Sequence, residues 1–176
     1  MLDDVIAPDL RLVICGSAVG TASARAGCYY AGPQNRFWQT LFEVGLTPRP
    51  LAPHEFRTLL DFGIGLTDIV KTQVGPDHVL RPAESDVEVL RSLIERYRPR
   101  MLCFNGKRAA QQFLGRTDVA LGLQSEMDGA TRLFVAPSTS AAARRYWRLE
   151  VWQALADEVA RLSPGDGALA TAGASR

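Results

Sequence analysis

The apolar run Leu12-Val13-Ile14-Cys15 stops at Gly16 and opens into a long stretch of small and aromatic residues. An uninterrupted apolar run of that length is a buried strand, and buried strands belong to sheets covered by helices. A strand ending on glycine is how α/β folds offer a ligand the carboxyl edge of the sheet. The stretch itself, residues 16–38, reads GSAVGTASARAGCYYAGPQNRFW. Its glycines let a ligand approach the backbone closely, and Tyr29 and Tyr30 offer a flat surface for a ring. The combination suits a planar heterocycle joined to a phosphate-bearing chain.

The rest of the chain repeats the alternation. Strands are expected at 10–16, 65–70, 101–104 and 132–135, with a loop at 72–82. Helices are expected at 35–45, ended by Gly45; at 53–62, with Pro53 in its first turn; at 86–97, stopped by Pro99; at 107–114; and at 141–162. This pattern predicts an α/β protein with a mostly parallel sheet and helices on both faces. A chain of 176 residues is long enough for one domain with a real core. Residues 1–162 are read as that domain, and the Gly/Ala/Ser-rich residues 163–176 as a disordered tail.

Composition narrows the chemistry. The three cysteines, Cys15, Cys28 and Cys103, form no CxxC pair, and two of them sit in apolar runs, which reads as buried reduced thiols. Only His54 and His78 are available as imidazoles, both in polar surroundings. No metal site and no cofactor is expected, nor a histidine-based triad. Net charge is +1, so bulk electrostatics does not announce a nucleic-acid binder. The 18 arginines against 2 lysines favour bidentate phosphate contacts but equally fit genomic base composition. No apolar run approaches the roughly 20 residues of a membrane helix. The acidic start MLDDVIAPDL is unlike a signal peptide, so a cytoplasmic protein is expected.

Loops after the strands would gather round one crevice: residues 16–33, the Asp68 region, Asn105-Gly106 and residues 137–143. Each candidate there has an ordinary alternative. Asn35 could read a base edge or cap the helix that follows. Asn105 precedes a glycine and is equally at home as a turn residue. Asp68 could be a cap or turn aspartate, and the tyrosines ordinary half-buried aromatics. Arg144, Arg145 and Arg148, interleaved with Tyr146 and Trp147, could track a phosphate backbone or form a solvated helix face with Trp147 in the core.

The same stretch resembles the first motif of the mismatch-specific uracil-DNA and thymine-DNA glycosylases, roughly G-I-N-P-G, an aromatic-containing spacer, then P-x-N-R/H-F-W. Gly16, Gly20, Tyr30, Pro33, Asn35, Phe37 and Trp38 fall on it. Gly63-Ile64-Gly65-Leu66-Thr67, Phe104-Asn105-Gly106-Lys107 and Pro137-Ser138-Thr139-Ser140 match later pieces in order. The resemblance spans about residues 10–152 and implies a three-layer α/β/α glycosylase fold.

It also implies a monofunctional enzyme that flips uracil, or another damaged base, out of mispaired DNA and hydrolyses its glycosidic bond. No lyase step is expected, because no motif lysine is placed to attack C1′. DNA is the expected partner, no membrane is involved, and a monomer is expected.

The implied substrate contacts are Gly16, Ser17, Ala18, Gly20, Tyr30 as the stacking ring, Asn35 and Asn105. The implied DNA contacts are Ser138, Thr139, Ser140, Arg144 and Arg145. Two positions depart from the family. Its catalytic asparagine falls on Ala18, which can hold no water, and its apolar wedge falls on Ser140. The chemistry then passes to Asp68, whose carboxylate could stabilise oxocarbenium-like charge or orient the attacking water. Two other functions stay open. Ala18 fits a lesion-binding module without catalysis, and the near-neutral charge with Ser140 fits a small-molecule nucleoside or nucleotide hydrolase.

Overall fold

The computed structural model describes residues 2–74 and 83–162. The predicted tail, His78 and most of the predicted 72–82 loop lie outside them. Five strands form one sheet: β1 (Leu12–Val19), β2 (Ile64–Val74), β3 (Met101–Asn105), β4 (Gly122–Asp128) and β5 (Thr131–Ala136). Their order is β2-β1-β3-β5-β4, with parallel pairing except between β4 and β5. The predicted α/β class with a mostly parallel sheet is therefore the observed one.

Alternation along β1 divides the core. Leu12 and Ile14 pack on one face with Phe37, Trp38 and Leu41 of α2 (Phe37–Glu43) and Trp152 and Leu155 of α5 (Leu149–Arg161). Val13 and Cys15 pack on the other face with Leu90 and Ile94 of α3 (Glu84–Tyr97) and Phe113 of α4 (Lys107–Leu114). The sheet is thus the middle of three layers. Cys15 and Cys103 are buried free thiols, as expected.

Four local readings need correction. The 65–70 strand runs on to Val74, so Asp68 sits within a strand and is neither a cap nor a turn residue. The strand expected to stop at Gly16 runs on to Val19, and the remainder of the predicted 16–33 loop contains a short helix, α1 (Thr21–Ala26). Residues 53–62 form a 3₁₀ helix that Glu55 ties back to the Ala52 amide at 2.9 Å. The single helix expected at 141–162 is two: a 3₁₀ segment, Ala141–Tyr146, and α5, separated by extended Trp147 and Arg148. That break lets Trp152, not Trp147, enter the core; Trp147 stays half-buried with the Arg36 guanidinium 5.6 Å from its ring centre.

Strand β4 was not expected. It is a largely exposed edge strand, LQSEMD after its glycine, so it lacks the apolar alternation that reveals a half-buried strand. The signal present was Gly129-Ala130, a glycine-first pair suited to a two-residue hairpin loop. Gly129 adopts φ 57° in the two-residue turn that pairs Asp128 with Thr131.

Candidate active site

Connection order changes direction at β1: β2 lies on one side of it and β3 on the other. The carboxyl ends of β1, β3 and β5 meet there, the place where open α/β sheets bind ligands. A cavity of about 390 Å³ occupies it. Its lining includes Gly16, Ser17, Ala18 and Gly20 from the β1 end, Tyr30 and Asn35 from the following loop, and Asp68 from β2. Asn105 from β3 and Ser138, Thr139 and Ser140 after β5 complete that group. Segments far apart in sequence are therefore gathered as expected.

The floor is built by register. Gly16 pairs with Asp68 across β1 and β2, so the carboxylate leans over the glycine. A Cβ at position 16 would stand 2.4 Å from Asp68 Oδ1 and 3.2 Å from the Tyr30 hydroxyl. Only a residue without a side chain fits beneath these two oxygens. Asp68 is 5% exposed, and Ala18, two residues beyond Gly16 on β1, also lines the cavity.

Tyr30 is held firmly. The Trp38 indole donates to the Tyr29 carbonyl at 3.1 Å, and the buried Tyr29 hydroxyl donates to the Asp3 carbonyl at 3.4 Å. Tyr30 itself adopts φ 52°, a left-handed conformation that costs a non-glycine residue about 1–2 kcal/mol. That conformation lays its ring on Phe37, with centres 3.9 Å apart and planes 25° from parallel. The ring remains partly accessible, whereas its hydroxyl oxygen is buried without a hydrogen bond of ordinary geometry, the Asn105 side chain and the Asp68 carboxylate being polar groups that act on it. Burial, and then the Asp68 carboxylate, push the Tyr30 phenol well above its ordinary range, so it stays a neutral O–H group.

The opposite wall is braced through Asn105. Its carbonyl accepts from the Thr139 amide and its side-chain nitrogen donates to Thr139 Oγ1, both at 3.0 Å. The Arg36 amide donates to the Thr139 carbonyl at 3.0 Å, and the Trp152 indole to the Pro137 carbonyl at 3.0 Å. Gly106 takes φ 113° and passes under Ser138, whose Cβ would lie 3.2 Å from a Cβ added there. Ser140 Oγ accepts from the Ala142 amide at 3.3 Å, capping the 3₁₀ segment. Asn35 accepts from the Phe37 amide at 3.0 Å just before α2, whose N-cap is Arg36, and it also lines the cavity.

Arg144 and Arg145 do not line the cavity. They lie exposed on the 3₁₀ segment just outside it, where Arg144 donates to Gln34 at 3.3 Å and Tyr146 is 76% exposed. Arg108, Ser23 and Leu2 line the cavity but were not singled out from the sequence. Arg108 had a usable signal, since it follows Asn105-Gly106 on the first turn of α4. Leu2 had none. It arrives because Val5 bridges to Leu66 and Asp4 meets Lys71 Nζ at 2.5 Å, fastening the N-terminal segment beside β2.

Comparison with known proteins bears on the family and the fold. The family model described as the Uracil DNA glycosylase superfamily matches residues 4–156. A solution NMR structure from Methanosarcina acetivorans, described as a "putative Uracil DNA glycosylase", matches with a TM-score of 0.60 at 23% identity. The match covers 90% of this chain and 96% of that one, and at that identity the likeness is one of fold.

Proposed function

The chain belongs to the Uracil DNA glycosylase superfamily, and on that premise we propose that it hydrolyses the N-glycosidic bond of uracil in mispaired DNA, leaving an abasic site. The observation that carries the reading is the meeting of the Asp68 carboxylate and the Tyr30 ring in one cavity at the carboxyl edge of the sheet. A base in a duplex is out of reach of such a recess, so the nucleotide rotates out of the stack, at a cost of a few kcal/mol that is least for a mismatch. Tyr30, backed by Phe37, stacks on the base, a contact worth about 1–3 kcal/mol.

The water oxygen bonds to C1′ as the C1′–N1 bond breaks, and the bonding pair leaves with the base nitrogen. Asp68 stabilises positive charge developing on the sugar and takes the proton that water gives up. Peptide groups along residues 16–20, with Asn35 and Asn105, contact the base. Ser138, Thr139 and Ser140 hold phosphate oxygens, and Arg144 and Arg145 extend that grip outside the cavity.

Single-turnover release of uracil from G·U, A·U and single-stranded oligonucleotides, wild type beside Asp68→Asn, tests this. Release by wild type and a loss of about 100-fold or more in the variant are expected. Equal release by both proteins would keep the glycosylase and remove Asp68 from the chemistry. Ala18 at the family's asparagine position favours a second reading, a lesion-binding module without catalysis. DNA binding with no base release by wild type would establish it.

A further inference from the structure

Stacking explains the ring of Tyr30 but not its hydroxyl. A phenylalanine would stack on Phe37 and on a base equally well, yet this side chain ends in a buried oxygen without a hydrogen bond of ordinary geometry. Such a group destabilises a fold by the hydration it has lost, so its presence asks for a use. Its surroundings supply one. The hydroxyl and Asp68 Oδ1 converge on the same spot above Gly16, 3.2 and 2.4 Å from the point where a Cβ would stand. The Asn105 side chain also acts on the phenol, while its own carbonyl and one N–H are already committed to Thr139. An amide nitrogen carries two hydrogens, so one remains to donate towards the phenol oxygen.

We propose that the Tyr30 hydroxyl is a positioning group for Asp68, closing a relay that runs from Thr139 through Asn105 and Tyr30 to the carboxylate when DNA is bound. In that relay Asn105 donates to the phenol oxygen and the phenol O–H donates to Asp68. Each group has the right capacity: the phenol is protonated, the carboxylate accepts, and the amide is fixed by two bonds to the loop after β5. Catalytic hydrogen bonds left open without substrate commonly tighten in the reacting complex. Entry of a base expels water from the cavity and strengthens the attraction between the hydroxyl and the carboxylate. The loop proposed to grip phosphate is thereby coupled to the group proposed to direct the water.

This inference rests on the glycosylase reading above. Its test is Tyr30→Phe, which removes one oxygen and keeps the ring, made both in the wild type and in Asp68→Asn. Three quantities are read: single-turnover base release, affinity for a duplex carrying an uncleavable 2′-fluorodeoxyuridine, and melting temperature. The expected result is a loss of about 10- to 100-fold in release from the wild type. In the Asp68→Asn background the further loss is under about twofold, because groups acting through one another are not additive. Affinity for the uncleavable duplex stays within about threefold and the melting temperature does not fall, since a buried hydroxyl without an ordinary hydrogen bond has been removed.

Release at the wild-type rate by Tyr30→Phe overturns the inference. So does an equal loss in both backgrounds, which places the hydroxyl outside the Asp68 pathway, or a rate loss that merely tracks a drop in melting temperature. No base release by wild type refutes the glycosylase reading itself and takes this inference with it. Release by wild type with an unaffected Tyr30→Phe refutes the inference alone.

Discussion

Gly16→Ala tests the floor of the cavity without altering any group that carries charge. The added methyl would stand 2.4 Å from Asp68 Oδ1, 3.6 Å from Asp68 Cγ and 3.2 Å from the Tyr30 hydroxyl. A carbon–oxygen contact settles near about 3.4 Å, so the carboxylate has to withdraw by roughly 1 Å. Gly16 is not among the positive-φ residues, so the substitution adds contact and no backbone strain. Overpacking of this kind costs about 1–3 kcal/mol. Melting temperature should fall by about 2–4 °C for each kcal/mol in a domain of this size. A misplacement of about 1 Å in a reacting geometry costs on the order of 100-fold in rate.

The assay is single-turnover uracil release from a mispaired duplex beside a thermal melt. Gly32→Ala is the control, because its new methyl meets nothing closer than 3.9 Å. The expected result is a rate loss of about 100-fold in Gly16→Ala with a modest drop in melting temperature, and neither in Gly32→Ala. A Gly16→Ala protein that melts a few degrees lower yet releases uracil within about threefold of the wild-type rate would refute the reasoning. The carboxylate would have moved and the chemistry would not have noticed.

Two further outcomes follow from the surface and from the buried acids. Arg144→Ala and Arg145→Ala should each weaken duplex binding and reduce the slope of log affinity against log salt by about 1, with the release rate from saturated complex unchanged; a salt slope equal to that of the wild type would place these arginines off the DNA. Burial holds the thiols of Cys15 and Cys103 and the phenols of Tyr29 and Tyr30 above their ordinary ranges, with Asp68 adding to the effect on all but Cys103. The unfolded chain therefore loses these protons first, and stability is full below about pH 8 and falls as pH rises through the ordinary thiol and phenol values of about 8.5 and 10. The slope approaches about 1.4 kcal/mol per pH unit for each group; urea midpoints that stay level from pH 7 to 11 would contradict it.

What the sequence revealed and what it hid divide along physical lines. The runs at 12–15 and 101–104 are buried on both faces, so hydrophobicity alone exposes them. The turn after β3 carries Gly106, where an added Cβ would meet the Ser138 Cβ at 3.2 Å. Strand β4 was hidden because an exposed edge needs no apolar pattern, and the α5 boundary because Trp147 and Trp152 are indistinguishable until packing chooses between them. Asp68 was legible as a candidate but not as a mid-strand residue above Gly16. That placement depends on pairing register between β1 and β2, and no local property of either strand records it. The state of the buried Tyr30 hydroxyl is hidden for the same reason, since satisfaction of a polar group is a property of its neighbours.

On the proposed reading, the loss of the asparagine at Ala18 and the presence of Asp68 are parts of one arrangement. Ala18 pairs with Val70 just beyond the Gly16–Asp68 pair, so the two small residues on β1 open a space into which a side chain from β2 can reach. The oxygen that directs water would then come from the neighbouring strand, across a glycine, rather than from the strand that carries the motif. Such a floor is poor for stability: it buries the Asp68 carboxylate and the hydroxyl of Tyr30, itself a non-glycine residue at φ 52°. A phenylalanine at position 30 would keep the ring and remove the buried oxygen, so the hydroxyl is held at a cost in stability. The hydroxyl, the carboxylate and the missing Cβ occur together, and chemistry at that point accounts for all three.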